Sequence, residues 1–99
     1  IFATVYTRCA ESLEDIKDFY KAYYRSHPFT CIVDESLDLK QVVNTNKCLL
    51  HLQKHGEMLL VTSVIDNLLK GASGQAVQNM NLMFGQEETM GLQLKSSGF

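Results

Sequence analysis

One stretch of the sequence combines small residues, a lysine and two amides at the start of a predicted helix. It runs from Asp66 to Asn81 and has the order DNLLKGASGQAVQNMN. A turn of small residues ahead of a helix leaves backbone N–H groups without partners and lets a ligand come close to the backbone. Lys70 offers a positive charge for a phosphate or a carboxylate, and the amides of Asn67 and Gln75 match a carboxamide.

The candidate binding residues are the small residues of this stretch and the polar residues among them. They are Asn67, Lys70, Gly71, Ala72, Ser73, Gly74 and Gln75. A purely structural interpretation is also available, in which the glycines only permit a tight connection between strand and helix and Lys70 is solvated. The residues alone leave both interpretations open.

The cysteines indicate the compartment more clearly than they indicate a reaction. There are three of them and no Cys-x-x-Cys pair, which argues against a disulfide framework or a zinc site and favours a reducing, cytoplasmic compartment. Cys31 and Cys48 lie in predicted strands among apolar neighbours and are expected to be small core residues. Cys9, beside Arg8, is expected to be unreactive because no helix terminus adjoins it.

The histidines and tyrosines are expected to have structural roles. His27 and His55 are predicted to be surface groups, and His51 a side chain on a sheet face. Tyr20, Tyr23 and Tyr24 form a stripe at helical spacing, which is typical of packing in a core or an interface. Neither a catalytic residue nor a metal ligand is predicted in this chain.

The surrounding pattern predicts an α+β fold in the order β-α-β-β-β-α, with helices packed on a mixed or antiparallel sheet. The predicted strands are 1–9, 29–33, 40–53 and 58–65; the predicted helices run from residue 12 to Pro28 and over 75–84. Ser12 and Asp15 resemble a capping box, and Gly85 is the expected stop of the second helix.

The remaining segments are expected to be turns or irregular. Residues 54–57 are predicted to form a hairpin turn, residues 66–74 to be irregular, and residues 86–99 to be a tail with a weak strand signal at Leu92 and Leu94. The first strand is expected to be at least partly covered on both faces. The strand over 58–65, nearly all apolar, is expected to be central in the sheet.

Composition excludes several classes of protein. The chain has 99 residues and a net charge of −2, so nothing in its electrostatics points to nucleic acid or to an anionic membrane. No apolar run approaches the roughly 20 residues that span a bilayer. Ile1 begins directly inside a strand-like pattern, without a methionine. We therefore expect a segment of a longer protein.

The stretch from Ile65 through Met83 resembles, nearly residue for residue, a segment close to the end of N-acetyl-γ-glutamyl-phosphate reductases. It is similar, more loosely, to the Lys-Gly-Ala-Ala-x-Asn-Ala-Val-Gln run of aspartate-semialdehyde dehydrogenases. The Asn-containing run from Val43 to Cys48 and the strand from Ile1 to Tyr6 also resemble parts of the reductases. The likeness covers essentially the whole chain.

The resemblance implies an NADPH-dependent reduction of an N-acyl-glutamyl phosphate in arginine biosynthesis, and a carboxy-terminal domain like that of glyceraldehyde-3-phosphate dehydrogenases. In that family a cysteine thiolate displaces phosphate to give a thioester, hydride reduces the thioester to the semialdehyde, and a histidine acts as acid and base. The residues from Lys70 to Gln78 should then face the nicotinamide, with Gln75 at the place of the dehydrogenases' carboxamide-binding asparagine. Association into homo-oligomers through the sheet is also expected.

The family's nucleophile turn, its histidine and a glycine-rich nucleotide fingerprint are missing from these residues. Residues 1–99 are therefore expected to be a carboxy-terminal domain segment, with NADP bound mainly by an upstream domain, and to be inactive alone. The competing hypothesis is a free-standing α+β module that binds a metabolite or a partner without catalysis. The run from Asp66 to Asn81 separates the two, because a generic sheet module has no reason to carry it.

Overall fold

The computed structural model describes residues 1–97, which fold around one four-stranded mixed sheet. The strands are β1 (Phe2–Arg8), β2 (Thr30–Val33), β3 (Cys48–His55) and β4 (Met58–Ile65), and the α-helices are α1 (Leu13–Tyr23) and α2 (Gly74–Met83). A short 3₁₀ helix covers Leu39–Gln41 and a π-helix covers Leu69–Ser73. The predicted α+β class and element order are confirmed. No helix within the described residues is long and apolar enough to span a bilayer.

The sheet is mixed because its strands do not all run in one sense. Its order is β1-β4-β3-β2, with β4 antiparallel to both β1 and β3, and β2 parallel to β3. The predicted central position of β4 is confirmed, and its Leu59 and Val64 are buried. The predicted hairpin is also present: Gly56 and Glu57 form the turn between His55 and Met58, which pair.

Two apolar clusters hold the sheet, one on each face. On one face α1 places Ile16 against Leu52 and Leu59. On the other face Val64 and its neighbour from β3 pack against Val42, which belongs to the connection between β2 and β3. Alternate residues of a strand point to opposite faces, so β4 contributes to both clusters. Complete burial of an aliphatic side chain of this size stabilises the fold by about 1.5–3 kcal/mol.

Helix α1 begins as predicted and ends earlier than predicted. The hydroxyl of Ser12 accepts a hydrogen bond of 3.2 Å from the backbone N–H of Asp15, as the capping pattern indicated. The helix then ends at Tyr23, so the prediction that Pro28 ends it is wrong. Tyr24 leaves the helical conformation, and its N–H still bonds to the carbonyl of Tyr20. Residues 24–26 form a turn that separates the helix from the proline.

The prediction that residues 40–53 are mostly extended is wrong in its first half. Asp38 caps the 3₁₀ helix: its carboxylate accepts from the N–H of Lys40, while the side chain of Gln41 accepts from the N–H of Asp38. Asn44 then adopts a left-handed backbone angle, φ 61°, and reverses the chain. Regular strand begins only at Cys48. Local side-chain bonds outcompete extended structure in this segment.

Burial at the two ends of the chain also differs from expectation. All residues of β1 are exposed, although they were expected to be partly covered on both faces. The weak strand signal at Leu92 and Leu94 does not correspond to a strand in the described part of the tail. Leu92 lies in a turn-rich segment, and it is buried. The tail's last residues, Gly98 and Phe99, lie outside the described range.

The carboxylate of Asp66 joins the sheet to the helical segment that follows it. Asp66 directly follows β4, and its Oδ2 accepts a hydrogen bond of 2.8 Å from the N–H of Asn44. Its Oδ1 accepts from the N–H groups of Leu68, at 2.7 Å, and Leu69, at 3.0 Å. The N–H of Asn44, followed by those of Leu69 and Leu68, lowers the pKa of Asp66 below its ordinary value, against the opposing effect of burial.

Replacing Asp66 by asparagine should destabilise the protein in a pH-dependent way. We expect Asp66→Asn to lower the free energy of unfolding at pH 7 by about 1–2 kcal/mol, because the one neutral oxygen of asparagine replaces two charged oxygens and leaves at least one of these N–H groups without its acceptor. Because the pKa of Asp66 is lower in the folded state, its ionised carboxylate stabilises the fold fully above the unfolded-state pKa of about 4. This stabilisation is lost as the pH falls through the lower folded-state pKa. The difference between wild type and variant should therefore shrink below about pH 4.

Urea unfolding of both proteins between pH 7 and pH 2.5 measures this difference. Asp18→Asn removes an exposed carboxylate from α1 and is the control, with an expected effect within about 0.5 kcal/mol. A constant difference between wild type and Asp66→Asn across the whole pH range would show that the charge of Asp66 is not what stabilises the junction.

Candidate functional site

The predicted binding residues lie on one continuous helical stretch that follows β4. Asn67 precedes the π-helix Leu69–Ser73, and Gly74 and Gln75 are the first residues of α2. The prediction that residues 66–74 are irregular is therefore wrong: the chain enters a π-helical turn, with bonds from each N–H to the carbonyl five residues earlier, and continues into the α-helix. Such turns are frequent at functional sites.

The backbone N–H groups of this stretch have partners within the chain. Gly71 donates to the carbonyl of Asp66 at 3.0 Å, Ser73 donates to that of Leu68 at 3.1 Å, and Gly74 donates to that of Leu69. The expectation of unpartnered N–H groups is wrong for these residues, because the π-helical turn supplies the acceptors that an α-helical start would lack. These three N–H groups are therefore not free to bind a ligand.

The predicted residues fall into two groups by exposure. The exposed ones are Asn67, Gly71, Ala72, Ser73 and Gln75. Two of these carry primary amides, each of which offers both donors and an acceptor, as a carboxamide partner requires. Lys70 is half-buried and Gly74 is buried.

Lys70 is engaged by side chains of its own chain. Its ammonium group donates to Oε1 of Gln78 at 2.7 Å and lies 5.6 Å from the centre of the Phe29 ring. The amide nitrogen of Gln78 in turn donates to the carboxylate of Glu88 at 2.8 Å. The chain of contacts ties the π-helix to α2 and to the tail, and places the positive charge over an aromatic face. An anionic ligand at Lys70 has to compete with Gln78.

Gly74 is required by close packing against another part of the chain. Its φ of −64° is ordinary for an α-helix, so no left-handed angle calls for glycine. A Cβ at this position would lie 1.7 Å from Oδ1 of Asn46 and 2.7 Å from the carbonyl oxygen of Leu69. The close approach that glycine permits here is to the chain's own Asn46.

Two buried asparagines near this stretch were missed by the sequence interpretation. Asn46 donates from Nδ2 to the carbonyl of Leu92 at 2.9 Å, and Asn81 donates to the carbonyls of Glu88 and Met90 at 3.1 and 3.0 Å. Both are 2% exposed. The burial of Asn81 could have been inferred from its position on the side of α2 that faces the rest of the chain, together with Gly74. The burial of Asn46 could not have been inferred, because its partners are distant in sequence.

The three cysteines differ in their exposure and in their contacts. Cys9, Cys31 and Cys48 are all free thiols. The prediction that Cys31 is a core residue is wrong, because it is exposed on the edge strand β2; Cys48 is half-buried, and burial raises the pKa of its thiol. The thiol of Cys9 donates to the carboxylate of Glu11 at 3.0 Å, and that bond raises the pKa of Cys9.

The remaining candidate groups lie away from the predicted stretch. His27 and His55 are exposed, as expected, and His51 bonds through Nδ1 to the carbonyl of Val33 at 3.1 Å. Tyr23 stacks on His27, with ring centres 5.9 Å apart. Among residues 1–97 no group of three His, Cys, Asp or Glu side chains is placed to hold a metal ion.

Two cavities of the structure lie away from the predicted stretch. One of about 400 Å³ lies beside the first half of α1 and is lined by Cys9, Glu11, Asp15, Ile16, Phe19, Tyr20 and Leu59. Another, of about 270 Å³, lies between Pro28, Asn46 and the tail around Leu92. The exposed members of the predicted stretch, Asn67, Gly71, Ala72, Ser73 and Gln75, line neither of these two cavities.

Several relatives of the chain bear the name N-acetyl-γ-glutamyl-phosphate reductase. It is 67% identical over 99 residues to an N-acetyl-γ-glutamyl-phosphate reductase of Christiangramia forsetii and 64% identical to one of Phocaeicola vulgatus, in both cases over 100% of this chain and 31% of the relative. A reductase of the same name from Flavobacterium johnsoniae is 58% identical, over 30% of its length. The chain thus spans about a third of the length of these relatives.

Residues 1–67, which include all four strands, match the family described as semialdehyde dehydrogenase, dimerisation domain. That segment holds the whole sheet and α1, while the predicted binding residues from Lys70 onward follow it directly. On this match, the chain belongs to the semialdehyde dehydrogenase dimerisation-domain family.

Proposed function

We propose that these residues form the carboxy-terminal segment of an NADPH-dependent N-acetyl-γ-glutamyl-phosphate reductase acting in arginine biosynthesis. The observation that carries this proposal is the sequence identity of 64–67%, over the whole chain, with reductases of that name. A free-standing binding module does not explain why that identity extends through the π-helix and α2. Three free thiols within the described residues are compatible with a cytoplasmic location, which we also infer.

The segment from Asn67 to Gln75 is the proposed cofactor-facing surface. The nicotinamide supplies hydride in this reaction, and its carboxamide needs a donor and an acceptor at fixed positions. The exposed amides of Asn67 and Gln75 fit that requirement, and they stand on a helical turn held from behind by Asp66 and by the contacts of Lys70. Rigid support of this kind fixes a positioning contact, which is how such residues contribute to rate.

Exposed apolar side chains on α2 are compatible with a further domain. Met80 and Met83 of α2 and Phe84, which follows it, are 50%, 79% and 73% exposed. Gly85 ends the helix region as predicted, with φ 66°. Apolar groups grouped in this way mark surfaces that other structure covers. In the proposed enzyme that structure belongs to the parts outside these residues, which carry the nucleotide site, the nucleophile and the acid–base group.

The face of the sheet opposite α1 is the proposed contact with a second copy. Phe2, Thr4 and Tyr6 of β1 share this face with Leu60 and Thr62 of β4, according to the register of the two strands. Phe2 and Tyr6 are 51% and 66% exposed. A two-fold dimer uses one patch on both partners, and a sheet face that carries exposed aromatic side chains suits such an interface. The family's description as a dimerisation domain supports this proposal.

A chimera tests the proposed function directly. The aligned residues of the Christiangramia forsetii reductase are replaced by these 99 residues, and phosphate-dependent oxidation of the semialdehyde by NADP is measured. We expect the chimera to retain activity, since the replaced segment and this chain are 67% identical. A folded chimera without turnover would contradict the proposal.

Within an active chimera, Gln75→Ala should lower catalytic efficiency. Loss of a contact that positions the hydride donor costs roughly 1–3 kcal/mol, about tenfold to a hundredfold in kcat/KM. Asn79→Ala is the matched control, because it removes an exposed amide one turn further along α2. Steady-state kinetics with NADP as the varied substrate measures both variants. Equal effects of Gln75→Ala and Asn79→Ala would reject the assignment of Gln75.

Dimer formation should depend on Tyr6 more than on its neighbour Val5. The two side chains are similarly exposed but lie on opposite faces of β1. We expect Tyr6→Glu to weaken association by at least about 2 kcal/mol, roughly thirtyfold in Kd, because it buries a charge in the interface. Val5→Glu, on the side of α1, should change Kd little. Sedimentation equilibrium of the full-length protein measures the Kd of both variants. If only Val5→Glu weakened the dimer, the interface would lie on the face of the sheet that α1 covers.

A further inference from the structure

We infer that Asn46 is a positioning residue for the segment from Asn67 to Gln75, acting by holding Gly74 at the start of α2. The inference rests on the proposed function, because positioning matters only if that segment faces a cofactor. Asn46 lies in the connection before β3, is 2% exposed, and touches two segments that are far from it in sequence.

The orientation of the Asn46 amide follows from its hydrogen bond to the tail. Its Nδ2 donates to the carbonyl oxygen of Leu92 at 2.9 Å. The reverse orientation would bring two oxygens together, since only the NH₂ end of an amide can donate. Oδ1 is thereby directed at Gly74. Among the described residues this buried oxygen has no hydrogen-bond partner.

A buried amide oxygen without a partner is unusual and indicates a constraint other than hydrogen bonding. Here the oxygen lies against the Cα side of Gly74, at the place where any other residue would carry its Cβ. Contacts between a Cα–H and an oxygen are weakly attractive and directional. The pair Asn46 and Gly74 therefore fixes the distance between the start of β3 and the start of α2.

Gly74 is the point of the proposed surface where such a constraint has most effect. Ser73 precedes it at the end of the π-helix and Gln75 follows it in α2, and both are exposed. Displacement of Gly74 moves both residues together. Because a misplacement of about 1 Å in a positioning group can cost up to a hundredfold in rate, a residue behind the surface can act on the reaction without touching the substrate.

Asn46→Ala in the full-length protein tests this inference, with Thr45→Val as the control. Thr45 is the neighbouring buried polar residue, 1% exposed, and its hydroxyl donates to the carbonyl of Val42, so its loss perturbs the same connection without touching Gly74. Hydrogen exchange is followed at the N–H groups of Gly71, Ser73 and Gly74 and compared with exchange in β3 and β4. Kinetics are measured with NADPH and with the acyl phosphate varied separately.

We expect Asn46→Ala to accelerate exchange at those three N–H groups while β3 and β4 stay protected, and to lower kcat/KM for NADPH by at least about tenfold. Thr45→Val should lower the melting temperature without this selective loss. If both variants accelerate exchange uniformly and leave the kinetics alike, Asn46 is merely structural and the inference is wrong. If the unsubstituted protein does not oxidise NADPH with the acyl phosphate, the proposed function fails, and the exchange pattern alone decides the role of Asn46.

A size exchange gives a second, independent measurement. Gly74→Ala places a methyl group on Oδ1 of Asn46, and the double variant Asn46→Gly with Gly74→Ala removes that collision. We expect the double variant to recover part of the melting temperature lost by Gly74→Ala; recovery should be incomplete, because the carbonyl of Leu69 also lies 2.7 Å from the added carbon. Purely additive effects of the two substitutions would show that they do not interact, and would contradict the inference.

Discussion

The carboxylate of Asp66 is the interaction on which the geometry of the proposed surface depends. It accepts hydrogen bonds from backbone N–H groups on both sides of the junction. One comes from Asn44, in the reversal before β3, and two come from Leu68 and Leu69 at the start of the π-helix. Each bond satisfies a donor that the end of a helix or a turn would otherwise leave to water. The exit of β4, the reversal at Asn44 and the start of the helical stretch are thereby fixed relative to one another. The residues from Lys70 onward, in the π-helix and α2, follow directly from that junction.

Beyond the junction, polar side chains hold α2 in place where apolar packing would be expected. Lys70, Gln78 and Glu88 form one chain of contacts, and the buried amide of Asn81 binds two carbonyls of the tail. Helices in small proteins usually gain their stability by burying an apolar stripe. In α2 that stripe remains exposed, so the polar contacts orient the helix and leave its apolar side available to another domain. This division explains how α2 is held by contacts within the chain and yet presents exposed apolar side chains.

Elements governed by local periodicity were predictable from the sequence, and elements governed by distant partners were not. Strand β4, the capped start of α1 at Ser12 and the glycine stop at Gly85 follow from alternation, capping and backbone preference within a few residues. The π-helix could not be foreseen, because its bonds skip one residue more than the α-helical pattern and leave no distinct period. The exposure of β1 was also mispredicted: an apolar strand looks the same whether its cover belongs to this chain or to another.

The contrast between Gly74 and Gln75 shows what a motif can and cannot convey. Both belong to the stretch that resembles the reductases, and from sequence both were assigned to cofactor binding. In the structure one is buried against Asn46, 28 positions earlier in the chain, and the other is exposed. A glycine in a small-residue run permits close approach, but the approaching group can be a ligand or the protein itself. Only the fold distinguishes them: Gln75 is exposed, whereas Gly74 is buried against Asn46.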